Sequence, residues 1–164
     1  MEANQLAVTA FWYVNAFESL ANKEVDWITD DIAVTLHTVT YTPNQDTHDY
    51  FDDLTNQLTT ANGYTAEDGT GTGKLLAGKG HTNTLNVSSL DADNPVWTFT
   101  GAGNTARIAV LSDVATNVTT TDPLILWVDF GQNETASGGG TFTIDWSGTD
   151  IVATITPADA TGFP

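Results

Sequence analysis

The sequence contains no cysteine, few basic residues and no long apolar run. Without cysteine, neither a disulfide nor a thiolate metal site can form, and the redox compartment cannot be read from the sequence. Only four of the 164 residues are Lys or Arg, namely Lys23, Lys74, Lys79 and Arg107. They are too few to form the basic patch that nucleic acid or an anionic membrane would require. No stretch approaches the roughly 18 apolar residues of a membrane-spanning helix. We therefore expect neither nucleic acid nor a membrane as a partner.

The chain is strongly acidic. Against the four cations stand 21 Asp and Glu residues, giving a formal net charge of −17. Such charge keeps a protein soluble at high copy number. It also suits a salty medium, in which screening over a few ångströms removes the repulsion. Both interpretations stay open. Near the start, Glu2 replaces the basic segment of a secretory signal, so we expect synthesis in a cytoplasm.

The length and the first apolar pattern predict one domain, residues 1–164, with a helix near its start. Residues 5–21 place apolar side chains three and four positions apart, which predicts an amphipathic helix. Its stripe comprises Leu6, Ala10, Tyr13, Val14, Phe17, Leu20 and Ala21. Phe11 and Trp12 lie off the stripe, close to Asn15. Either the helix is wedged between core and loops, or one aromatic face meets another subunit or a capsid.

From about residue 32 onward the apolar period changes to two. Ile32, Val34 and Leu36 predict a half-buried strand. A long polar connection follows, in which one or two helical turns are expected around Tyr50, Phe51, Leu54 and Leu58. Further strands are predicted at 74–77, 84–88, 96–100, 105–112, 124–130, 141–146 and 151–156, the last two as a hairpin. This pattern predicts a mainly β fold, an antiparallel β-sandwich of Ig-like or jelly-roll-like type.

Motifs for catalysis are weak throughout. The Gly-rich segment 69–74 resembles a phosphate loop, but Asp68 replaces its first glycine and Leu75 replaces the Ser or Thr that would hold magnesium. No serine has the setting of a nucleophile elbow. The three histidines read as ordinary surface or half-buried residues: His37, His48 and His81. We therefore predict that the protein is not an enzyme and has no cofactor.

Acidic and aromatic clusters suggest binding only weakly. Asp91, Asp93 and Asn94 offer hard oxygen ligands of the kind that calcium takes, as do Asp46, Asp49, Asp52 and Asp53. Neither cluster has the spacing of the twelve-residue calcium loop, and Asp and Asn also serve to cap turns. The interpretation is therefore no metal site, with Asp91, Asp93 and Asn94 as weak calcium candidates. Five tryptophans would suit either a sugar-binding platform or packing against a sheet.

Several sequence blocks, in a fixed order, resemble a family of small structural proteins of tailed viruses. The blocks include Val25-Asp-Trp-Ile-Thr-Asp-Asp, Tyr41-Thr-Pro-Asn-Gln-Asp-Thr-His-Asp-Tyr-Phe-Asp-Asp, Leu90-Asp-Ala-Asp-Asn-Pro-Val-Trp, Thr105-Ala-Arg-Ile-Ala-Val, Pro123-Leu-Ile-Leu-Trp-Val-Asp-Phe-Gly and Phe142-Thr-Ile-Asp-Trp. The resemblance extends over nearly the whole chain. It implies a virion, head or decoration protein, and no catalytic role comes with it.

The resulting hypothesis is a capsid decoration or cement protein on the outer head surface of a tailed bacteriophage or archaeal virus. Its expected partners are the major capsid protein or other virion proteins, together with further copies of itself. We expect Phe11, Trp12 and Asn15 to contact a neighbour, with Tyr50 and Phe51 as second choice. Because cations are scarce, docking should rest on apolar and hydrogen-bonded contacts and resist salt. The alternatives are a neck, tail or fibre component, or a glycan- or receptor-binding module on the virion.

Overall fold

The computed structural model describes residues 9–146 and 151–156 and shows a mainly β protein with antiparallel sheets. Its elements in chain order are β1 (Thr9–Trp12), α1 (Asn15–Asn22), β2 (Ile32–His37), a 3-10 turn (Phe51–Asp53), β3 (Lys74–Leu75), β4 (Gly80–Thr84), β5 (Val87–Asp91), β6 (Val96–Thr98), β7 (Asn104–Asp113), β8 (Leu124–Ala136), β9 (Thr141–Thr143) and β10 (Ile151–Ile155). Within these residues no helix is both long and apolar enough to cross a membrane.

The strands form three sheets. The largest has the order β1-β8-β7-β2-β3, the second β10-β5-β4, and the third β6-β9. The long strands β7 and β8 form the centre of the largest sheet, where runs of Ile, Val and Leu favour extended backbone. All six residues of β2 are buried. This sheet is therefore covered on both faces around β2.

The main core contains buried residues from all three sheets. Leu36, Leu111 and Leu126 of the large sheet belong to one buried cluster with Trp97 and Phe142 of the β6-β9 sheet. On the opposite face, a smaller cluster gathers Tyr13, Tyr41, Ile108, Val110 and Leu124. Burying a side chain of this size contributes roughly 1.5–3 kcal/mol. The second cluster therefore fixes the segment around α1, including the residues expected at an interface, to the sheet.

The predicted helix over residues 5–21 is confirmed for residues 15–21 and is wrong for residues 9–12. Residues 1–8 lie outside the described residues, Thr9–Trp12 form strand β1, and the helix runs only from Asn15 to Asn22. β1 pairs antiparallel with β8, with Phe11 opposite Trp127. A β-branched and aromatic segment beside an open sheet edge gains more from pairing than from one helical turn. The shorter helix leaves Val14 and Phe17 of the predicted stripe exposed, at 51% and 45%.

The predicted hairpin between residues 141–146 and 151–156 is also wrong. β9 pairs with β6, whereas β10 pairs with β5. Residues 147–150, which would form the turn of this hairpin, lie outside the described residues. Ile144 donates its N–H to the carbonyl of Pro95, and Trp146 donates its N–H to Oδ1 of Asn94. These distant partners take the backbone groups that a local hairpin would have used.

Candidate functional site

Edge strand β1 and the first turn of α1 present a group of aromatic and apolar side chains. Phe11 stacks on Trp127 with ring centroids 4.4 Å apart, and Trp12 packs against Phe17 at 5.3 Å. Phe17 and Val14 are both substantially exposed. Phe11 and Trp12 are consecutive residues of β1 and therefore lie on opposite faces of the sheet, so Phe11 does not belong with the ring pair of Trp12 and Phe17. We call Trp12, Val14 and Phe17 the β1–α1 surface. An exposed ring that packs against a second aromatic ring, as Phe17 does against Trp12, is a candidate contact for a partner.

A small acidic cleft lies beside this surface. It has a volume of about 150 Å³ and is lined by Asn15, Glu18, Ser19, Asn22, Glu24, Asp49 and Tyr50. The fold thus brings together Asn15 and Tyr50, which are far apart in sequence. The negative charge of Glu24 raises the pKa of the Tyr50 hydroxyl, and desolvation and the charges of Asp49 and Glu18 add to the shift. The cleft accordingly suits a hydrogen-bond donor or a basic side chain.

Phe51 does not share this position. Its side chain is only 7% exposed and packs in a cluster with Ala33 and Val114. Its N–H is bonded to the carbonyl of Asp122, so the 3-10 turn is held against the sheet. The ring of Phe51 therefore stabilises the connection from inside, and Tyr50 is the member of the pair that faces outward into the cleft.

A second, larger cleft shares Glu24 and Tyr50 with the first. Its volume is about 440 Å³, and its lining comprises Lys23, Glu24, Asp30, Tyr50, Ala115, Thr116 and Thr121. This volume falls within the roughly 300–1,000 Å³ range of small-molecule sites. Tyr50 thus stands between a small cleft suited to one side chain and a larger cleft that could hold a small polar ligand.

Buried carboxyl groups lie behind the wall of the larger cleft. Asp113 is 1% exposed, and its Oδ1 accepts the N–H of Ala115, while its Oδ2 has no hydrogen-bond partner among the described residues. Burial raises the pKa of Asp113 to about 7, and the neighbouring carboxylates of Asp30 and Asp122 add to the shift. Asp122 is also buried and accepts a hydrogen bond from Thr116. Within residues 9–146 and 151–156, no three His, Asp or Glu side chains are grouped to hold a metal ion.

The Gly-rich loop that resembles a phosphate loop is wrapped around a side chain of its own. Glu67 is 2% exposed, and its Oε1 accepts backbone N–H groups from residues 68–71 at 2.8–3.0 Å. Its Oε2 accepts the N–H of Gly73 at 2.6 Å. Positive φ angles at Gly69 and Gly71 help to turn these donors inward. The loop therefore binds an anion, and the anion is the carboxylate of Glu67.

None of the three histidines lines either of the two clefts, and His37 and His48 both lie against the ring of Tyr41. His37 is fully buried, with Nε2 2.8 Å from the hydroxyl of Thr35 and Nδ1 2.8 Å from the carbonyl of Thr55. Burial lowers its pKa to about 4. His48 contacts the Tyr41 hydroxyl, and His81 lies 2.8 Å from Ser88 Oγ on the exposed β4–β5 hairpin. These contacts tie neighbouring segments of the fold together.

Asp91, Asp93 and Asn94, the weak calcium candidates, accept hydrogen bonds from two tryptophans. The carbonyl of Asp91 accepts the indole N–H of Trp27, and the carbonyl of Asp93 accepts that of Trp146, both at 3.2 Å. Oδ1 of Asn94 accepts the backbone N–H of Trp146. Backbone carbonyls and one amide thus anchor two buried indoles, which gives this segment a packing role.

No protein family, no curated protein and no solved structure was found to match this chain.

Two features of the site had little signal in the sequence. The exposure of Val14 and Phe17 depends on where α1 begins, and a continuous helix would have buried them. The role of Glu67 depends on a loop closing around it, and the only hint is one acid two residues before the Gly-x-Gly-x-Gly segment.

Proposed function

We propose that this protein is a non-enzymatic structural protein of a tailed-virus particle, with capsid decoration or cementing as its task. The observation that carries the proposal is the β1–α1 surface, where Val14 and Phe17 are exposed and Phe17 packs against the ring of Trp12. On a protein of net charge −17, an exposed apolar group of this kind is best explained as a surface that a partner covers. The sequence resemblance to virion proteins supplies the setting.

We further propose that the fold is a β-sandwich with α1 as its amphipathic N-terminal helix. The shared core of the five-stranded sheet and the β6-β9 sheet supports this architecture. A scaffold of stacked antiparallel sheets is rigid, which suits a protein that must keep its shape in many copies on a particle. In this arrangement the acidic cleft with Asn15 and Tyr50 receives a donor group from the capsid beside the apolar contact.

The location is tested by gold-labelled antibodies against this chain, imaged on intact particles from its source. Label spread over the heads is the expected result. Label confined to the neck, the tail or the fibres would keep the structural class and overturn the decoration role. If the particles carry no label at all, the virion proposal fails.

The docking surface is tested by adding back purified protein to particles that lack it. Phe17→Ser removes an exposed ring, so binding should weaken at least tenfold while the melting temperature changes little. Val96→Thr is the matched control, because Val96 is also exposed but lies on β6. Wild-type binding should persist at molar salt, since apolar contacts are not screened. Equal binding by both variants, or loss of wild-type protein in high salt, would contradict this docking mode.

The larger cleft favours a second candidate, a glycan- or receptor-binding module on the virion. Tyr50 offers a ring face for a sugar, and Glu24, Asp30 and two threonines offer hydrogen-bond partners. A glycan array followed by calorimetry would detect such binding, and Tyr50→Ala should abolish it. Binding that survives Tyr50→Ala, or none at all, would remove this cleft as the receptor site.

A further inference from the structure

Strand β4 is an open edge of the three-stranded sheet. It pairs with β5 on one side, and no other strand in the described part of the chain pairs with its second side. Its residues are exposed except for the half-buried Gly80. In an antiparallel pair, alternate residues direct their N–H and C=O groups away from the partner. Because Thr84 and Val87 close a two-residue turn, the outward groups belong to His81 and Asn83.

This edge lacks the features that usually prevent strands from pairing. Natural edges are protected by charged side chains, proline, bulges or covering elements. β4 has the sequence Gly-His-Thr-Asn-Thr, without proline, Lys, Asp or Glu. It lies within residues 69–90, the longest stretch of this acidic chain that contains no Asp or Glu. In this chain of 21 acidic residues, β4 thus has hydrogen-bonding groups without a partner among the described residues and no acidic side chain of its own.

The turn at the end of this edge is strained and apolar. Leu85 has a φ of +56° at the first position of the two-residue turn, where glycine is the favoured residue. Its side chain is 99% exposed. A leucine in this conformation gains nothing inside the monomer that would offset its strain. Backbone strain of this sort is typical of positions with a role in binding.

We propose that β4 pairs antiparallel with β4 of a second copy of this chain, about a twofold axis through Thr82. In this register Thr82 faces Thr82 of the second copy, and His81 faces Asn83 at both ends. The outward groups of His81 and Asn83 then form four backbone hydrogen bonds, and facing threonines are a favourable cross-strand pair. Leu85 falls opposite residue 79 of the second copy and covers part of that copy's exposed 77–78 turn.

The two three-stranded sheets become one continuous six-stranded sheet. Such a contact is smaller than a standard protein interface, so we expect weak association in solution. Each copy carries a charge of −17, so salt should strengthen the dimer by screening the repulsion. This proposal does not depend on the virion role, because it concerns the purified chain alone.

The test is sedimentation equilibrium of the purified protein in 0.1 M and 2 M KCl. We expect a monomer–dimer equilibrium with a lower Kd in 2 M KCl. Thr82→Lys sets two lysines face to face across the axis and should raise the Kd at least tenfold. Thr98→Lys, at an exposed position of β6, is the matched control and should leave the Kd unchanged. A chain that stays monomeric at millimolar concentration in 2 M KCl, or equal effects of both lysines, would overturn the proposal.

A second variant separates binding from folding. Leu85→Gly relieves the positive φ and removes the exposed side chain. In dilute solution, where the protein is monomeric, its melting temperature should be no lower than that of the wild type. At high concentration its Kd should be several-fold higher. If Leu85→Gly dimerises as tightly as the wild type, Leu85 has no part in the interface and the proposed register is wrong.

Discussion

At the scale of single residues, the carboxylate of Glu67 holds the Gly-rich loop of residues 68–73 through hydrogen bonds. It accepts five backbone N–H groups, and the residue is only 2% exposed. Glu67→Gln replaces one acceptor oxygen by an NH₂ group that faces N–H donors. We expect the free energy of unfolding to fall by about 2 kcal/mol, since hydrogen bonds to a charged group are lost. Urea unfolding at pH 7 measures the change.

The neighbouring Asp68→Asn is the control for this substitution. Asp68 is exposed and accepts its bonds from Thr70 and Thr72 hydroxyls, so its replacement should alter stability by less than about 0.5 kcal/mol. If both variants unfold at the wild-type urea concentration, the loop does not depend on the buried carboxylate.

Asp113 predicts a pH dependence of stability. Its pKa of about 7 in the folded protein lies above its ordinary value near 3.8. A group with a raised folded pKa stabilises fully below its unfolded pKa, and this stability is lost as the pH rises to about 7. Asp113→Asn stays neutral at every pH. Its stability relative to the wild type should therefore improve between pH 5 and pH 8, by on the order of 2 kcal/mol.

Asp129→Asn is the opposite case. Arg107 lowers the pKa of Asp129 through a two-pronged ion pair, with Nε 2.5 Å from Oδ1. This variant should lose stability relative to the wild type above pH 4 and approach it in acid. Thermal melts of both variants at pH 5 and pH 8 provide the comparison. A parallel pH response of the two variants would show that Asp113 is not the titrating group.

At the scale of secondary-structure elements, α1 ends in a residue that is strained. Lys23 has a φ of +61° and a ψ of +34°, and it donates its N–H to the carbonyl of Leu20. Glycine adopts this conformation without a clash, so Lys23→Gly should raise the free energy of unfolding by about 0.5–1 kcal/mol. Lys23→Ala removes the same charge but keeps Cβ, and it should give no gain. Urea midpoints measure the change, and equal midpoints for both variants would contradict it.

Several strands after residue 32 could be predicted because alternation is a local property, but the predicted strand 84–88 is wrong, since it spans the turn between β4 and β5. The predicted strand 105–112 matches β7, which runs from Asn104 to Asp113, and 151–156 matches β10. Which strands become neighbours depends on contacts between distant residues. Local spacing therefore suggested a terminal hairpin, whereas Pro95 and Asn94 instead bond to the segment after β9.

The candidate site could be predicted only in part, because it also depends on contacts between residues that are distant in sequence. Asn15 and Tyr50 were chosen from separate segments, and the structure places both in one cleft. The helical stripe misplaced Val14 and Phe17, because its phase was taken from residues before 15. Periodicity identifies a face only when the start of the element is known. Residues 9–12 form a strand because they pair with β8, and the position of β8 depends on residues far along the chain.

At the scale of the whole molecule, charge sets the response to salt. The described residues contain one salt bridge, between Arg107 and Asp129, whereas the chain has 21 acidic residues. Repulsion among unpaired carboxylates should therefore destabilise the fold at low ionic strength. We expect the urea midpoint of unfolding to rise from 0.05 M to 1 M KCl. A midpoint that is unchanged or falls would show that the acidic surface is not under repulsive strain.

The pairing of β1 with β8 and of β10 with β5 also governs how the protein is made. As the ribosome releases the chain, β1 emerges long before its partner β8, and β5 cannot pair with β10 until the end of the chain is synthesised. Loop closure over such separations is slow. The nascent chain thus carries exposed strand edges and unburied aromatics through most of translation. Its abundant acidic residues then act first as protection against premature aggregation, before any folded surface exists.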